Sequence, residues 1–219
     1  SSLGIIVRWI SLPPHIITFY SSLSALLLLL VILTYKRELS ELRTGKSSFS
    51  IFILLGLFSL INSVLYYFAF LKTTIANAVF THYTAPIFVA LLAPILIKER
   101  MGRKTWITIP IASLGLFFIF FKSGLTLTQG TSIGLLAGTA SGLAYALIII
   151  IARRLTQSCS PYVIAIITNA LIVALISPFA VIEDYNLTVF SIILLLIMGL
   201  VHSTIAFVIY LEGLKEVKA

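Results

Sequence analysis

The sequence predicts an all-α protein, a polytopic integral membrane helix bundle made of two inverted five-helix repeats. Three observations lead there. Of the 219 residues, 60% are apolar and only 10% are charged, against roughly 25% charge in an ordinary soluble domain, and the mean hydropathy is +1.14. The charges are clustered, and the apolar runs between clusters are about 20 residues long, enough for a helix rising about 1.5 Å per residue to cross roughly 30 Å of hydrocarbon. Finally, the chain repeats itself at a spacing that turns the second copy upside down.

Charge clusters and turn residues mark the elements in order. The first ten residues, SSLGIIVRWI, lack an initiator Met and the layout of a signal peptide. They are too short to span, so the chain is expected to begin inside a helix. Seven spans follow, approximately Pro14 to Tyr35, Phe49 to Leu71, Ile75 to Ile97, Thr105 to Phe121, Thr131 to Ala152, Pro161 to Val181 and Phe190 to Leu211. Two of them open on Pro, after Pro13 and Ser160, where a missing N–H costs little. The connections are short, so consecutive helices are antiparallel neighbours. The stretch GLTLTQG, Gly124 to Gly130, reads as a linker, which makes residues 1–124 the first repeat, 125–130 the linker and 131–219 the second repeat.

Lysine and arginine set the orientation. Lys36, Arg37, Arg43, Lys46, Lys98, Arg100, Arg103, Lys104, Arg153, Arg154, Lys215 and Lys218 fall on one side, and only Arg8, Lys72 and Lys122 on the other. Cytoplasmic loops hold the excess of basic residues. The loops Lys36–Lys46, Lys98–Lys104, Arg153–Arg154 and Lys215–Lys218 are therefore expected in the cytoplasm of a cell-membrane protein. A net charge of +8 needs no nucleic acid to explain it, because the basic residues form short clusters between spans and no basic face or arm.

The repeat appears at an offset of 143. Gly56 to Ala76, GLFSLINSVLYYFAFLKTTIA, aligns with Gly199 to Ala219, GLVHSTIAFVIYLEGLKEVKA, with identities at Gly56, Leu57, Tyr67, Leu71, Lys72 and Ala76. Counting the first ten residues as the first helix, it pairs the third helix with the eighth. A spacing of five is odd, so the copies run in opposite directions, the arrangement of secondary transporters whose substrate site lies where the halves meet. A second five-helix unit beginning at Thr131 has three helices here, so two more are expected to follow in a complete protein.

Tyr67 to Arg100, YFAFLKTTIANAVFTHYTAPIFVALLAPILIKER, resembles the EamA-type members of the drug/metabolite transporter superfamily. The match lies in the aromatic and "AL"-like end of the third helix, the short small-residue turn, and a fourth helix with a central Pro that ends in Glu-Arg. Gly199 to Ala219 is similar to that family's segment before the ninth helix. The resemblance implies ten helices in two inverted halves, cytoplasmic termini, and a central cavity open alternately to each side. It also implies export of small organic metabolites, amino acids or related compounds, with no cofactor. On this reading the partners are a small-molecule substrate and the lipid bilayer, with a homodimer left open.

The candidate substrate-binding residues are Asn62, Tyr66, His82, Tyr83, Ser141, Tyr145 and His202, with Pro86 as a hinge. On the fourth helix Ala78, His82 and Pro86 share a face by their spacing, with Tyr83 beside it. Polar groups at membrane depth are costly and face protein or water, so His82 serves packing, cavity lining or proton coupling. Pro86 and Pro94 each remove a backbone hydrogen bond and are expected to kink the helix. On the third helix Ser59, Asn62, Ser63 and Tyr66 form one polar stripe, fit for interhelical bonding or for lining a cavity. His202, with Ser203 and Thr204, falls near the middle of the eighth helix. Gly134, Gly138 and Gly142 recur every fourth residue, the spacing that brings membrane helices close, with Ser141 and Tyr145 on the adjoining strip. Asn169 on the seventh helix is a weaker candidate.

Other functions lack their residues. Cys159 is the sole cysteine, which rules out an intramolecular disulfide and argues against thiolate metal and redox chemistry. Glu38, Glu41, Glu99, Glu183, Asp184, Glu212 and Glu216 all fall at helix ends or in loops, so a mid-membrane carboxylate relay is unsupported. There is no phosphate-binding glycine loop and no HExxH or GxSxG pattern. The rival readings are an intramembrane serine-protease-like enzyme using Ser141 and His202, in which Thr139 occupies the place a glycine should hold, and a non-transporting membrane scaffold, for which the loops are short.

Overall fold

The computed structural model describes residues 2–35, 49–97, 107, 109–111, 113–115, 117–118, 129–182 and 185–216. Among them every regular element is helical. They are α1 (Ser2–Ile10), α2 (Pro14–Tyr35), α3 (Phe49–Lys72), α4 (Ile75–His82), α5 (Ala85–Leu96), α6 (Gln129–Thr156), α7 (Pro161–Ile182), α8 (Val189–Met198), a π-helix (Gly199–Ala206) and α9 (Phe207–Glu216).

Six helical stretches are long and apolar enough to cross a membrane: Pro14–Tyr35, Phe49–Lys72, Ile75–Leu96, Thr131–Thr156, Pro161–Ala180 and Val189–Lys215. Many of the most exposed side chains are aliphatic, with Ile95 at 73% and Leu136 at 71%. In water such a surface would be an aggregation patch, and in hydrocarbon it is solvated. The chain is therefore a polytopic helical membrane bundle. Much of the expected span Thr105 to Phe121 lies outside the described residues, and those described between 107 and 118 are helical. The basic clusters Lys36–Lys46 and Lys98–Lys104, Lys218, and residues 125–128 of the expected linker also lie outside them. Gln129 and Gly130 of that linker already belong to α6.

Two differences from the expected elements bear on function. The span Ile75 to Ile97 is two helices, α4 and α5, separated at Tyr83 and Thr84. Pro86 lies in the first turn of α5 after the N-cap Thr84, where a missing N–H costs little; Pro94 is the one inside a helix. The chain is thus broken before Pro86 rather than kinked around it, and the face expected through Ala78, His82 and Pro86 is interrupted after His82. The last span, Val189–Lys215, contains the π-helix Gly199–Ala206, which periodicity did not announce.

The chain divides into two compact units, one of residues 1–8 and 61–150, the other of residues 9–60 and 151–219. In the second unit α2 packs on α7 and on the span that carries the π-helix. Leu29 and Leu33 of α2, Ala165 and Ile166 of α7, and Val208 of α9 form a buried cluster. Tyr185 donates to the carbonyl of Ala180 at 2.9 Å, so in the 2.8 Å contact between the two tyrosine hydroxyls Tyr20 is the donor. Thr188 caps α8 by accepting from the N–H of Ser191 at 3.1 Å. Gly199 opens the π-helix against the serines of α2.

In the first unit the end of α3 is closed from outside. The Arg8 guanidinium donates to the carbonyls of Phe70 at 3.0 Å and Thr73 at 2.6 Å, satisfying groups a helix C-terminus leaves open. Gly4 brings α1 close, since a methyl there would lie 2.7 Å from the Phe70 ring. Thr74 then caps α4, accepting from the N–H of Asn77 at 3.1 Å.

The glycines of the last span give a paired prediction. A methyl at Gly199 would collide with the Ser24 hydroxyl and sit 2.7 Å from the Ser21 carbonyl, whereas one at Gly213 meets nothing within 4 Å. Gly199→Ala is expected to lower the melting temperature of the full-length protein in detergent by a few degrees, because overpacking costs about 1–3 kcal/mol. Gly213→Ala is expected to leave it unchanged or raise it, since Ala is favoured over Gly in a helix by about 1 kcal/mol. Equal behaviour of the two variants in a thermal melt would contradict the packing.

Candidate functional site

Three helices of the first unit bring most of the candidate residues together, and the small residues of α6 are the reason they can. Gly134, Gly138, Ser141, Gly142 and Tyr145 follow helical spacing along one side of α6. A methyl at Gly134 would stand 2.9 Å from the Thr73 side chain. At Gly138 it would collide with the Thr81 hydroxyl, and at Gly142 it would lie 2.8 Å from the carbonyl of His82 and 3.1 Å from that of Thr81. The backbone of α6 therefore runs directly against α4 and the break that ends it.

That break leaves polar backbone to be covered. Pro86 has no N–H to give to the His82 carbonyl, and no backbone N–H of the described residues donates to it. The Thr84 N–H turns back to the Thr81 carbonyl at 3.3 Å, which also accepts from the Thr84 hydroxyl at 2.6 Å. Gly142 closes over the His82 carbonyl where any side chain would prevent it. Irregular backbone at membrane depth survives only when protein or a water-filled cavity surrounds it.

With the backbones this close, a side chain as short as serine reaches the ring of His82. His82 Nδ1 lies 2.9 Å from Ser141 Oγ, and Ser141 donates to the Gly138 carbonyl at 2.7 Å. Both residues are buried, His82 at 8% exposure and Ser141 at 0%. Tyr66 of α3 stacks on the imidazole with centroids 4.0 Å apart and planes 19° apart. Tyr145 meets it at 5.1 Å and Tyr83 more distantly, at 6.4 Å. Tyr83 is itself 58% exposed.

Asn62 lies one turn before Tyr66 on α3, and its Oδ1 is buried without a hydrogen-bond partner among the described residues. Such an orphan calls for an explanation, because most buried polar atoms are paired. His202 belongs to the second unit, on the π-helix, and is half-buried. Two residues along, the Thr204 hydroxyl is buried and likewise lacks a partner among the described residues. π-Helical turns recur at functional sites. Asn169 donates to the Ala165 carbonyl at 2.9 Å, a bond within its own helix. Within the first unit the histidine bonded to Ser141 is His82.

Sequence reasoning missed Arg8, Phe70 and Thr81. Phe70 extends the aromatic stack, 4.4 Å from Tyr66, and its place one turn after Tyr66 was a usable signal. Thr81 packs against Gly138, and its hydroxyl is tied to the Asn77 carbonyl at 2.9 Å. No group of three or more His, Cys, Asp or Glu suited to a metal occurs among the described residues.

Gly142→Ala is predicted to be the most damaging single-methyl change in this cluster. It opposes two backbone carbonyls that cannot swing away, so a loss of about 2 kcal/mol or more is expected. Unchanged thermal stability of the full-length variant would show that α6 and the break are not in contact.

Comparison with known proteins gives the family and the fold of the chain. The model of the EamA-like transporter family matches residues 1–121. An uncharacterized transporter of Archaeoglobus fulgidus is 29% identical over 164 residues, covering 75% of this chain and 57% of the relative. The uncharacterized transporter YxxF of Bacillus subtilis is 25% identical over 162 residues, covering 73% of this chain and 52% of the relative. The chain thus spans little more than half the length of these relatives. A protein of known crystal structure superposes with a TM-score of 0.73 over 98% of this chain and 74% of its own, at 19% identity, which is a likeness of fold.

Proposed function

Because this chain belongs to the EamA-like transporter family, we propose that the full-length protein is a secondary transporter. It exports small organic metabolites, amino acids or related compounds, by alternating access, and it is not an enzyme. The observation that carries this reading is the broken span Ile75–Leu96, whose interruption lies beside the buried, aromatic-lined His82. Discontinuous membrane helices mark the substrate sites of many transporters, where freed backbone and polar side chains face the ligand. Asn62, Tyr66, His82, Tyr83, Ser141 and Tyr145 form the substrate-binding group of the first unit, and His202 is a substrate-binding residue of the second unit considered by itself. The break before Pro86 acts as the hinge. Residues 1–124 and 131–219 are the inverted repeats, and the sequence match of Gly56–Ala76 with Gly199–Ala219 supports that pairing.

Transport by the full-length protein in proteoliposomes tests this assignment. His82→Ala, Asn62→Ala and His202→Ala are each expected to lower the uptake rate at least tenfold while leaving elution and melting behaviour near wild type. If all three retain wild-type kinetics, the site is elsewhere.

The orientation is tested separately. With Cys159 replaced by Ser, a cysteine in place of Lys72 is expected to react with a membrane-impermeant maleimide added outside intact cells, and one in place of Arg153 only after lysis. The reverse pattern would invert the topology derived from the basic clusters.

A further inference from the structure

We propose that Ser141 is a positioning residue that holds the His82 ring with its proton on Nδ1, so that Nε2 is presented as a hydrogen-bond acceptor to a ligand that brings an N–H or O–H donor. This rests on the reading of the cluster as a substrate site. The tautomer follows from proton accounting. Ser141 has one hydroxyl hydrogen, and its oxygen lies 2.7 Å from the Gly138 carbonyl, which can only accept. Were that hydrogen turned to His82 instead, two oxygens would face each other at this distance with nothing between them. The hydrogen therefore belongs to the Gly138 bond, and the 2.9 Å contact to His82 is made by Nδ1–H donating to Ser141.

In the neutral imidazole one nitrogen donates and the other accepts. With Nδ1 committed, Nε2 carries the lone pair, and no described residue donates to it. Asn62 Oδ1, one turn from Tyr66 on α3, is a second buried acceptor without a hydrogen-bond partner among the described residues. Arg and Lys are absent from the cluster of Asn62, Tyr66, His82, Tyr83, Ser141 and Tyr145. A carboxylate meeting Nε2 would set lone pair against lone pair. An amine or hydroxyl instead donates to Nε2, and a cationic amine also gains from the tyrosine ring faces.

Nitrogen-15 NMR of histidine-labelled full-length protein in nanodiscs reads the tautomer directly, with His82 assigned by loss of its signals in His82→Gln. The expected wild-type spectrum has the protonated-type shift on Nδ1 and the lone-pair shift on Nε2. Ser141→Ala is expected to give a mixture of tautomers, and Ser141→Thr to restore the wild-type pattern. A wild-type ring protonated on Nε2 overturns the proposal even if neither variant folds. For the ligand, n-butylammonium is expected to move the Nε2 resonance, and tetramethylammonium and butyrate to leave it in place. No response to n-butylammonium, or an equal response to tetramethylammonium, which has no N–H, overturns the donor requirement. The two readings fail separately. The expected tautomer with transport unaffected by His82→Ala sinks the transport site alone, and transport loss with the wrong tautomer sinks this proposal alone.

Discussion

The candidate site depends on a contact between backbones. The glycines of α6 at positions 134, 138 and 142 allow that helix to lie against Thr73, Thr81 and the carbonyl of His82 at distances no side chain would permit. In water such closeness would be one packing solution among many. In a bilayer, where lipid tails are as apolar as leucine, helix association relies on close van der Waals contact and on satisfying polar groups. The glycine column supplies the first, and coverage of the broken α4 supplies the second. Ser141 reaches His82 only because the backbones have already met.

The same contact explains why irregular backbone is tolerated in the middle of a membrane segment. A helix interrupted at Tyr83 and Thr84 exposes carbonyls whose desolvation would cost several kcal/mol if lipid reached them. Here the threonines recycle their own bonds, through Thr84 to the Thr81 carbonyl and Thr81 to the Asn77 carbonyl, and Gly142 shields the carbonyl of His82. Aromatic rings from α3 and α6 then close on the imidazole. Coverage of the backbone and burial of the polar side chains thus come from one local arrangement.

The long elements were legible in the sequence, and their ends nearly so, because hydrocarbon thickness sets their length and charge marks their limits. Pro14–Tyr35 agrees at both ends, and Phe49–Lys72 and Pro161–Ile182 extend the expected spans by one residue each. Periodicity also brought Asn62, Tyr66, His82, Ser141 and Tyr145 forward as candidates. What it could not supply was partner choice. Nothing in the spacing tells that Ser141 bonds His82, or that Arg8 reaches across to the end of α3, because those are contacts between segments far apart in sequence. The break at Tyr83 was hidden for a different reason. Pro86 signals an interruption, but whether the chain kinks around it or restarts before it depends on the neighbour that covers the freed carbonyls, and that neighbour is Gly142. The π-helix at Gly199–Ala206 had no residue signature in the spacing.

Arg8 shows how a basic residue can be used for purposes other than topology. It counts as one of three positive charges opposing the proposed orientation, yet its guanidinium is committed to the carbonyls of Phe70 and Thr73. Lys72, another of the three, rests over the Phe68 ring one turn earlier, 5.6 Å from its centroid. Both charges are therefore local fastenings at the rim of the same helix. On the proposed orientation, basic groups on the sparse side persist where the end of a helix employs them, so the contrast between the two faces of the membrane is sharper than the bare tally of lysines and arginines suggests.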